Sequence, residues 1–326
     1  MQGEWNHKIF SVTAKSFEHL ALEIFQFQYE NNAVYRNFAD AVGKTPDCVS
    51  AIEKIPFLPV RFFKTHKVVT TSFEPAAVFE SSGTTGMTNS RHYIKDLELY
   101  EQCFTQSFEM FYGPVADWCI IGLLPSYLEK GNSSLVYMTD RLIKKSLHPA
   151  SGFYLYDFEK LTDTLTGLEK SGQKTLLLGV TFALLDFAGK FSLPLKYTTI
   201  METGGMKGRR KEMIREEVHN QLKMAFSIKT VHSEYGMTEL MSQAWSEGEG
   251  VFSCPPWMKI VMRDEEDPFN LKSYGSGTIN VIDLANIWSC SFIATDDAGI
   301  VDPSGTFRVL GRIDGSDLRG CSLLTV

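Results

Sequence analysis

Glu80-Ser81-Ser82-Gly83-Thr84-Thr85-Gly86-Met87-Thr88 is the stretch on which the reading of this sequence turns. Its two glycines open backbone conformations closed to other residues, and Ser and Thr hydroxyls surround them. A loop of that composition turns N–H groups and hydroxyls toward an anion such as a triphosphate. No Gly-Lys-Ser/Thr follows, so it is not a Walker-type loop. Its ordinary reading is a solvated turn, and only its surroundings separate the two. Upstream, Ala76 to Phe79 reads as a short buried strand feeding the loop. Downstream, Leu97, Tyr100, Phe104 and Phe108 give Asp96 to Phe111 helical spacing.

Further out, strands and helices alternate. Trp118 to Leu124 and Gly152 to Tyr156 read as strands, Phe158 to Leu168 as a helix and Thr175 to Gly179 as a strand. Tyr197 to Met201 is a strand running into Gly204-Gly205, and Arg209 to Met224 a charged helix. Such alternation predicts an α/β fold, a layered core around a largely parallel sheet. Near the start, Ser16 to Ala41 reads as one or two amphipathic helices, and Ile55 to Val60, broken by prolines, as an extended connector. From Thr230 onward short strands and Gly/Asp turns take over. The expected division is therefore 1–240, an α/β core with the phosphate loop, and 241–326, a β-rich subdomain.

Composition narrows the function. The chain has 326 residues, 44% hydrophobic, with a formal net charge of −7 and a pI near 5.6. An acidic chain without a dense basic run is a poor nucleic-acid partner. No apolar stretch approaches the roughly 18 residues of a membrane span, and the first residues lack the order of a secretory signal, so a cytoplasmic protein is expected. The six cysteines form no CxxC pair, which excludes a zinc framework. Most read as small core residues.

Three later segments carry chemistry. In Tyr235-Gly236-Met237-Thr238-Glu239 a ring can lie beside a flat base, Thr238 can face a phosphate, and the Glu239 carboxylate can hold Mg²⁺, which prefers oxygen ligands. In Thr295-Asp296-Asp297 an acid ends a strand and can accept ribose hydroxyls. In Gly311-Arg312-Ile313-Asp314 the guanidinium offers a permanently charged fork. Singly, each has an ordinary reading as a core ring, a hairpin turn or a surface arginine.

Their order is the stronger signal. It resembles the adenylate-forming superfamily of acyl and aryl ligases and nonribosomal adenylation domains, from about residue 75 to the C-terminus. Ser82 to Gly86 is similar to its phosphate loop, Tyr235 to Glu239 to its Tyr-Gly-x-Thr-Glu motif, Thr295 to Asp297 to its Thr-Gly-Asp, and Gly311 to Gly320 to its hinge. The resemblance implies that Ser82, Gly83, Thr84, Thr85 and Gly86 bind ATP phosphates. It implies that Tyr235 and Gly236 lie at adenine, that Gly204 and Gly205 line adenine and the reacting carboxylate, and that Asp297 and Arg312 hold the ribose. Glu239 would bind Mg²⁺, with Thr238 beside it. The family loop runs on through Pro-Lys-Gly. Here Met87-Thr88-Asn89-Ser90-Arg91 follows, so Arg91 is the candidate for the positive charge.

Typical members continue into a C-terminal lid domain, and here none is expected. Short lidless chains with a cysteine just past the hinge resemble the acyl-protein synthetase (LuxE) family. Its members make a fatty acyl-adenylate and move the acyl group to their own C-terminal cysteine, from which a partner reductase takes it. The matching residue is Cys321, beside Arg319, a neighbour that favours a thiolate. The expected activity is therefore ATP-dependent activation of a carboxylic, fatty acid followed by acyl transfer to a protein thiol. An acyl- or aryl-CoA ligase and a catalytically idle nucleotide-binding partner are the alternatives. Relatives of the phenylacetate–CoA ligase type carry a Cys/His zinc site. Cys254 has no histidine after His232 to pair with, so no zinc is expected. The run Val180, Phe182, Leu184, Leu185 suggests either an apolar pocket for the acid or plain core.

Overall fold

A computed structural model describes residues 2–81, 88–124, 132–204, 213–264 and 266–313. The chain opens with helices α1 (Gln2–Phe10), α2 (Phe17–Asn31) and α3 (Ala33–Ala41). In α2 the spacing of Phe17, Leu20, Ala21, Ile24, Phe25 and Gln28 buries one face. Asn32 separates α2 from α3, and its side chain accepts from Tyr35 N at 3.0 Å as an N-cap. The proline-broken connector holds strand β1 (Leu58–Pro59), which pairs in parallel with a strand some 235 residues later, and a short helix α4 (Phe62–Thr65) follows.

Strands β2 (Ala77–Glu80) and β3 (Arg91–Ile94) form an antiparallel hairpin whose loop is the Ser/Thr/Gly stretch. Helix α5 (Leu97–Tyr112) starts where Asp96 accepts from the N–H groups of Glu98 and Leu99.

The alternation then appears as β4 (Cys119–Leu123), α6 (Ser134–Ser146), β5 (Gly152–Phe153), α7 (Phe158–Ser171), β6 (Thr175–Val180), α8 (Thr181–Ala188), β7 (Thr198–Thr203), α9 (Arg215–Phe226), β8 (His232–Tyr235) and β9 (Ala244–Ser246). The sheet order is β5-β4-β6-β7-β8-β9, parallel except at β9. Successive side chains alternate between two cores, as the strand period requires. Cys119, Ile121, Leu123 and Leu177 pack with α7, α8 and α9, while Ile120, Leu176 and Leu178 face α5, the N-terminal helices and the second sheet. The run Val180, Phe182, Leu184, Leu185 is plain core: it leads from the end of β6 into α8 and packs in one cluster with Phe158 and Leu161, with every one of those side chains buried.

The rest of the described chain is mostly antiparallel: β10 (Met258–Arg263), β11 (Leu271–Lys272), β12 (Gly275–Asp283), β13 (Phe292–Val301) and β14 (Phe307–Arg312). β12 lies along one edge of β13, and the other edge is shared by β1 at Ile293 and Ala294 and by β14 from Asp297 to Val301. The layered α/β class read from the sequence is the one observed. Among the described residues, no helix is long and apolar enough to cross a membrane.

Candidate active site

The carboxyl ends of parallel strands are where α/β sheets bind ligands, and here β7 and β8 end side by side. β7 runs into Gly204, whose φ of 72° is a left-handed conformation that favours glycine. The Gly204 carbonyl accepts from the Thr181 hydroxyl at 2.6 Å.

β8 ends at Tyr235, and the segment 235–242 that leaves it is held by side chains from three distant parts of the chain. The Tyr235 hydroxyl donates to Asp297 Oδ2 at 2.9 Å, and Arg312 Nε lies 3.5 Å from Asp297 Oδ1. Burial, with the Asp297 charge, raises the phenol's pKa, so Tyr235 stays the donor. Its ring packs edge-on against Phe252 and Phe307. Asp296, the next residue on β13, points outward to Arg61 at 3.4 Å, as alternation on a strand dictates. Three residues past Tyr235, the segment is fixed through its carbonyls. His92 Nδ1 donates to Thr238 O at 2.8 Å and Asn286 Nδ2 to Glu239 O at 2.7 Å, while His92 Nε2 sits 3.0 Å from Asn286 Oδ1. Burial pulls the His92 pKa down, against smaller upward effects that include the Glu239 charge. Beyond Glu239, the buried Asp283 carboxylate accepts from Met241 N, Ser242 N and Ser242 Oγ at 2.7–2.9 Å.

His92 belongs to β3, so the stem of the hairpin β2–β3 touches the segment that carries Glu239. At the mouth of that stem, Ser81 N donates to Ser90 O, and Ser90 N to Ser81 Oγ at 2.9 Å. Arg91 stands opposite Glu80 in the ladder, with Nε 3.2 Å from Glu80 Oε1 and its side chain 60% exposed. Its charge is shared with that partner.

Sequence reasoning missed a second pair of acids at the same strand ends, Glu202 buried and Glu234 half-buried. Glu202 of β7 accepts from Ser233 Oγ at 2.7 Å and Thr181 Oγ1 at 3.1 Å. Arg215 Nε and His219 Nε2 each lie 3.6 Å away. Burial opposes its ionisation, but His219, Arg215 and Ser233 together outweigh it and bring its pKa below the usual carboxylate value. Glu234 of β8 goes the other way. Burial pushes it up to about 7, the Glu202 charge adds to that, and the Thr203 hydroxyl bonded to it pulls back. Two neighbouring carboxylates are thus driven apart in proton affinity. Glu234 also explains Gly236: a Cβ there would lie 2.2 Å from Glu234 Oε1.

The structure therefore brings Tyr235, Gly236, Thr238, Glu239, Asp297 and Arg312 together, with Gly204 one strand away and Arg91 at the mouth of the hairpin. Ser82, Gly83, Thr84, Thr85, Gly86, Gly205 and Cys321 lie outside the described residues. His92 and Asn286 carried no readable signal. Each is a single polar residue whose meaning depends on a partner some 146 or 47 positions away.

The family description "acyl-protein synthetase, LuxE" matches residues 10–325. The chain belongs to that family. The LuxE assignment agrees with the expected class, an ATP-dependent ligase that forms an acyl-adenylate. Among curated proteins, the long-chain-fatty-acid–luciferin-component ligase of Aliivibrio fischeri is 26% identical over 336 residues, which cover 93% of this chain and 86% of the relative. Among solved structures, ATP-bound MatB from Rhodopseudomonas palustris superposes with a TM-score of 0.55 at 17% identity, covering 75% of this chain and 49% of that one. O-succinylbenzoate coenzyme A synthetase from Bacillus subtilis, with ATP and a magnesium ion, gives a TM-score of 0.51 at 17% identity, covering 78% and 54%. These two share the fold, and the LuxE chain spans about half their length.

Proposed function

We propose that this LuxE-family chain binds Mg·ATP between the hairpin loop and the segment 235–239, and activates a fatty acid there. The donor set fits such a ligand. A hydroxyl-rich loop suits phosphates, a buried carboxylate at Glu239 suits an oxygen-seeking cation, and Asp297 beside Arg312 suits ribose hydroxyls. Support comes above all from His92, which ties the loop's stem to the carbonyl next to Glu239.

In this reading the bound Mg²⁺ supplies positive charge where the pyrophosphate oxygens gain negative charge. The chain's own groups do the rest. Loop hydroxyls and N–H groups orient the triphosphate, and Gly204 with Gly205 leaves room for the acid. An acid oxygen attacks the α-phosphorus in line, the bond to the β-phosphate bridging oxygen breaks, and pyrophosphate leaves with that electron pair. The Cys321 thiolate then attacks the acyl carbon and AMP departs, leaving a thioester that an acyl-accepting protein can take. The relative named for a long-chain fatty acid makes an aliphatic acid the favoured substrate.

The test is the intact mass of the chain after incubation with Mg²⁺, ATP and a panel of fatty and aromatic acids. An added acyl group on wild type, absent from Cys321→Ser, is expected. A CoA thioester formed with no protein adduct would move the acceptor to CoA.

A further inference from the structure

We infer that His92 and Asn286 are positioning residues for Mg·ATP, a latch that sets Glu239 against the stem of the hairpin β2–β3. The inference rests on the proposed nucleotide site and adds two residues that none of its motifs contains. Among the described residues, no backbone hydrogen bond joins the hairpin β2–β3 to residues 236–239. The connection runs through side chains instead: His92 to the Thr238 carbonyl and Asn286 to the Glu239 carbonyl, with the His92 ring packed 3.0 Å from the Asn286 amide. His92, Asn286 and Glu239 are each about 1% exposed, so water does not replace a lost donor and the two carbonyls depend on these side chains.

The latch has a fixed base. Gln28 Nε2 donates to the carbonyls of Asn286 and Ile287 at 3.1 and 2.9 Å, and Ser291 N donates back to Gln28 Oε1 at 2.9 Å. Asn32 Nδ2 and the Thr70 hydroxyl both donate to Ser289 O, at 2.8 and 2.6 Å. The first 70 residues, which carry no motif, thereby hold the segment 286–291 that presents Asn286. Helix α2 sets Asn286, Asn286 sets Glu239, and His92 ties the carbonyl just before Glu239 to the hairpin.

Calorimetric titration of the full chain with ATP, with and without Mg²⁺, tests this. Melting curves of the free proteins run alongside to show that each variant is folded. Removing a group that orients a metal ligand costs about 10- to 100-fold in metal-dependent affinity, so His92→Leu and Asn286→Ala should lose at least about tenfold in Mg²⁺-supported binding. Their Mg²⁺-free binding should stay within about threefold, a loss too small for a collapsed site. His92→Asn should restore most of the Mg²⁺ effect, because an asparagine amide nitrogen occupies nearly the place of Nδ1 and donates to the same carbonyl. If His92→Leu does not fold, Asn286→Ala set against His92→Asn carries the test. Unchanged Mg²⁺-supported affinity in Asn286→Ala, or equal losses with and without Mg²⁺, would overturn the latch. Wild type that binds no ATP at all would overturn the nucleotide site beneath it.

Discussion

Replacing Glu234 by glutamine should make the LuxE-family chain more stable at neutral pH, by an amount that depends on pH. Glu234 has an ordinary carboxyl pKa near 4.5 when unfolded and is pushed up to about 7 in the fold, chiefly by burial. At about 1.4 kcal/mol per tenfold change in proton affinity, ionising it in place costs about 3 kcal/mol, and solvent at its partly exposed edge trims this to about 2. Below pH 4.5 both states hold the proton and the group costs nothing. Between 4.5 and 7 the unfolded chain releases its proton while the fold keeps it, so wild-type stability falls as pH rises. Above 7 both are ionised and the full penalty stands. Glutamine removes this slope and still offers an oxygen to the Thr203 hydroxyl. Urea denaturation of both proteins at intervals from pH 5 to 8 reads the effect. Part of the penalty is already present at pH 5, so the variant's advantage should widen by about 1 kcal/mol across that range. An advantage that stays constant with pH would refute the argument that Glu234 is forced toward its protonated form.

Gly236→Ala should cost about 1–3 kcal/mol by overpacking, because its Cβ would fall 2.2 Å from Glu234 Oε1. Adding Glu234→Ala should recover part of that loss in the same denaturation assay, and purely additive losses would argue against the clash. Gln28→Leu should destabilise by about 2–4 kcal/mol, since it strips partners from the buried Ser291 N–H and from two carbonyls. It should also weaken Mg²⁺-supported ATP binding through Asn286. A stability loss without that weakening would separate α2 from the site.

Much of this was legible in the sequence, for local reasons. Short continuous apolar runs such as Thr175–Val180 declare a buried strand by their length, and spaced ones such as Leu97–Tyr112 declare a helix by their period. What stayed hidden has a different physical character. Thr181–Ala188 is apolar on all sides, so it reads as a run rather than a helix, and Arg91–Ile94 is too polar and short to declare a strand. β1 gains its meaning only from Ile293 and Ala294. In the site, motif residues could be named because glycines and acids cluster in sequence. His92, Asn286, Glu202 and Glu234 could not, because burial and long-range partners rather than neighbours give them their roles. Residues 1–70 were silent for the same reason: Gln28 and Asn32 act on carbonyls more than 250 positions away.

The central claim is that Glu239 and the hydroxyl-rich loop serve one Mg·ATP in acid activation. Exchange of labelled pyrophosphate into ATP, dependent on a fatty acid, measures that step alone. Wild type and Cys321→Ser should exchange alike, and Glu239→Ala should lose the exchange while remaining folded. Full exchange by Glu239→Ala, or none by wild type with any acid, would contradict it.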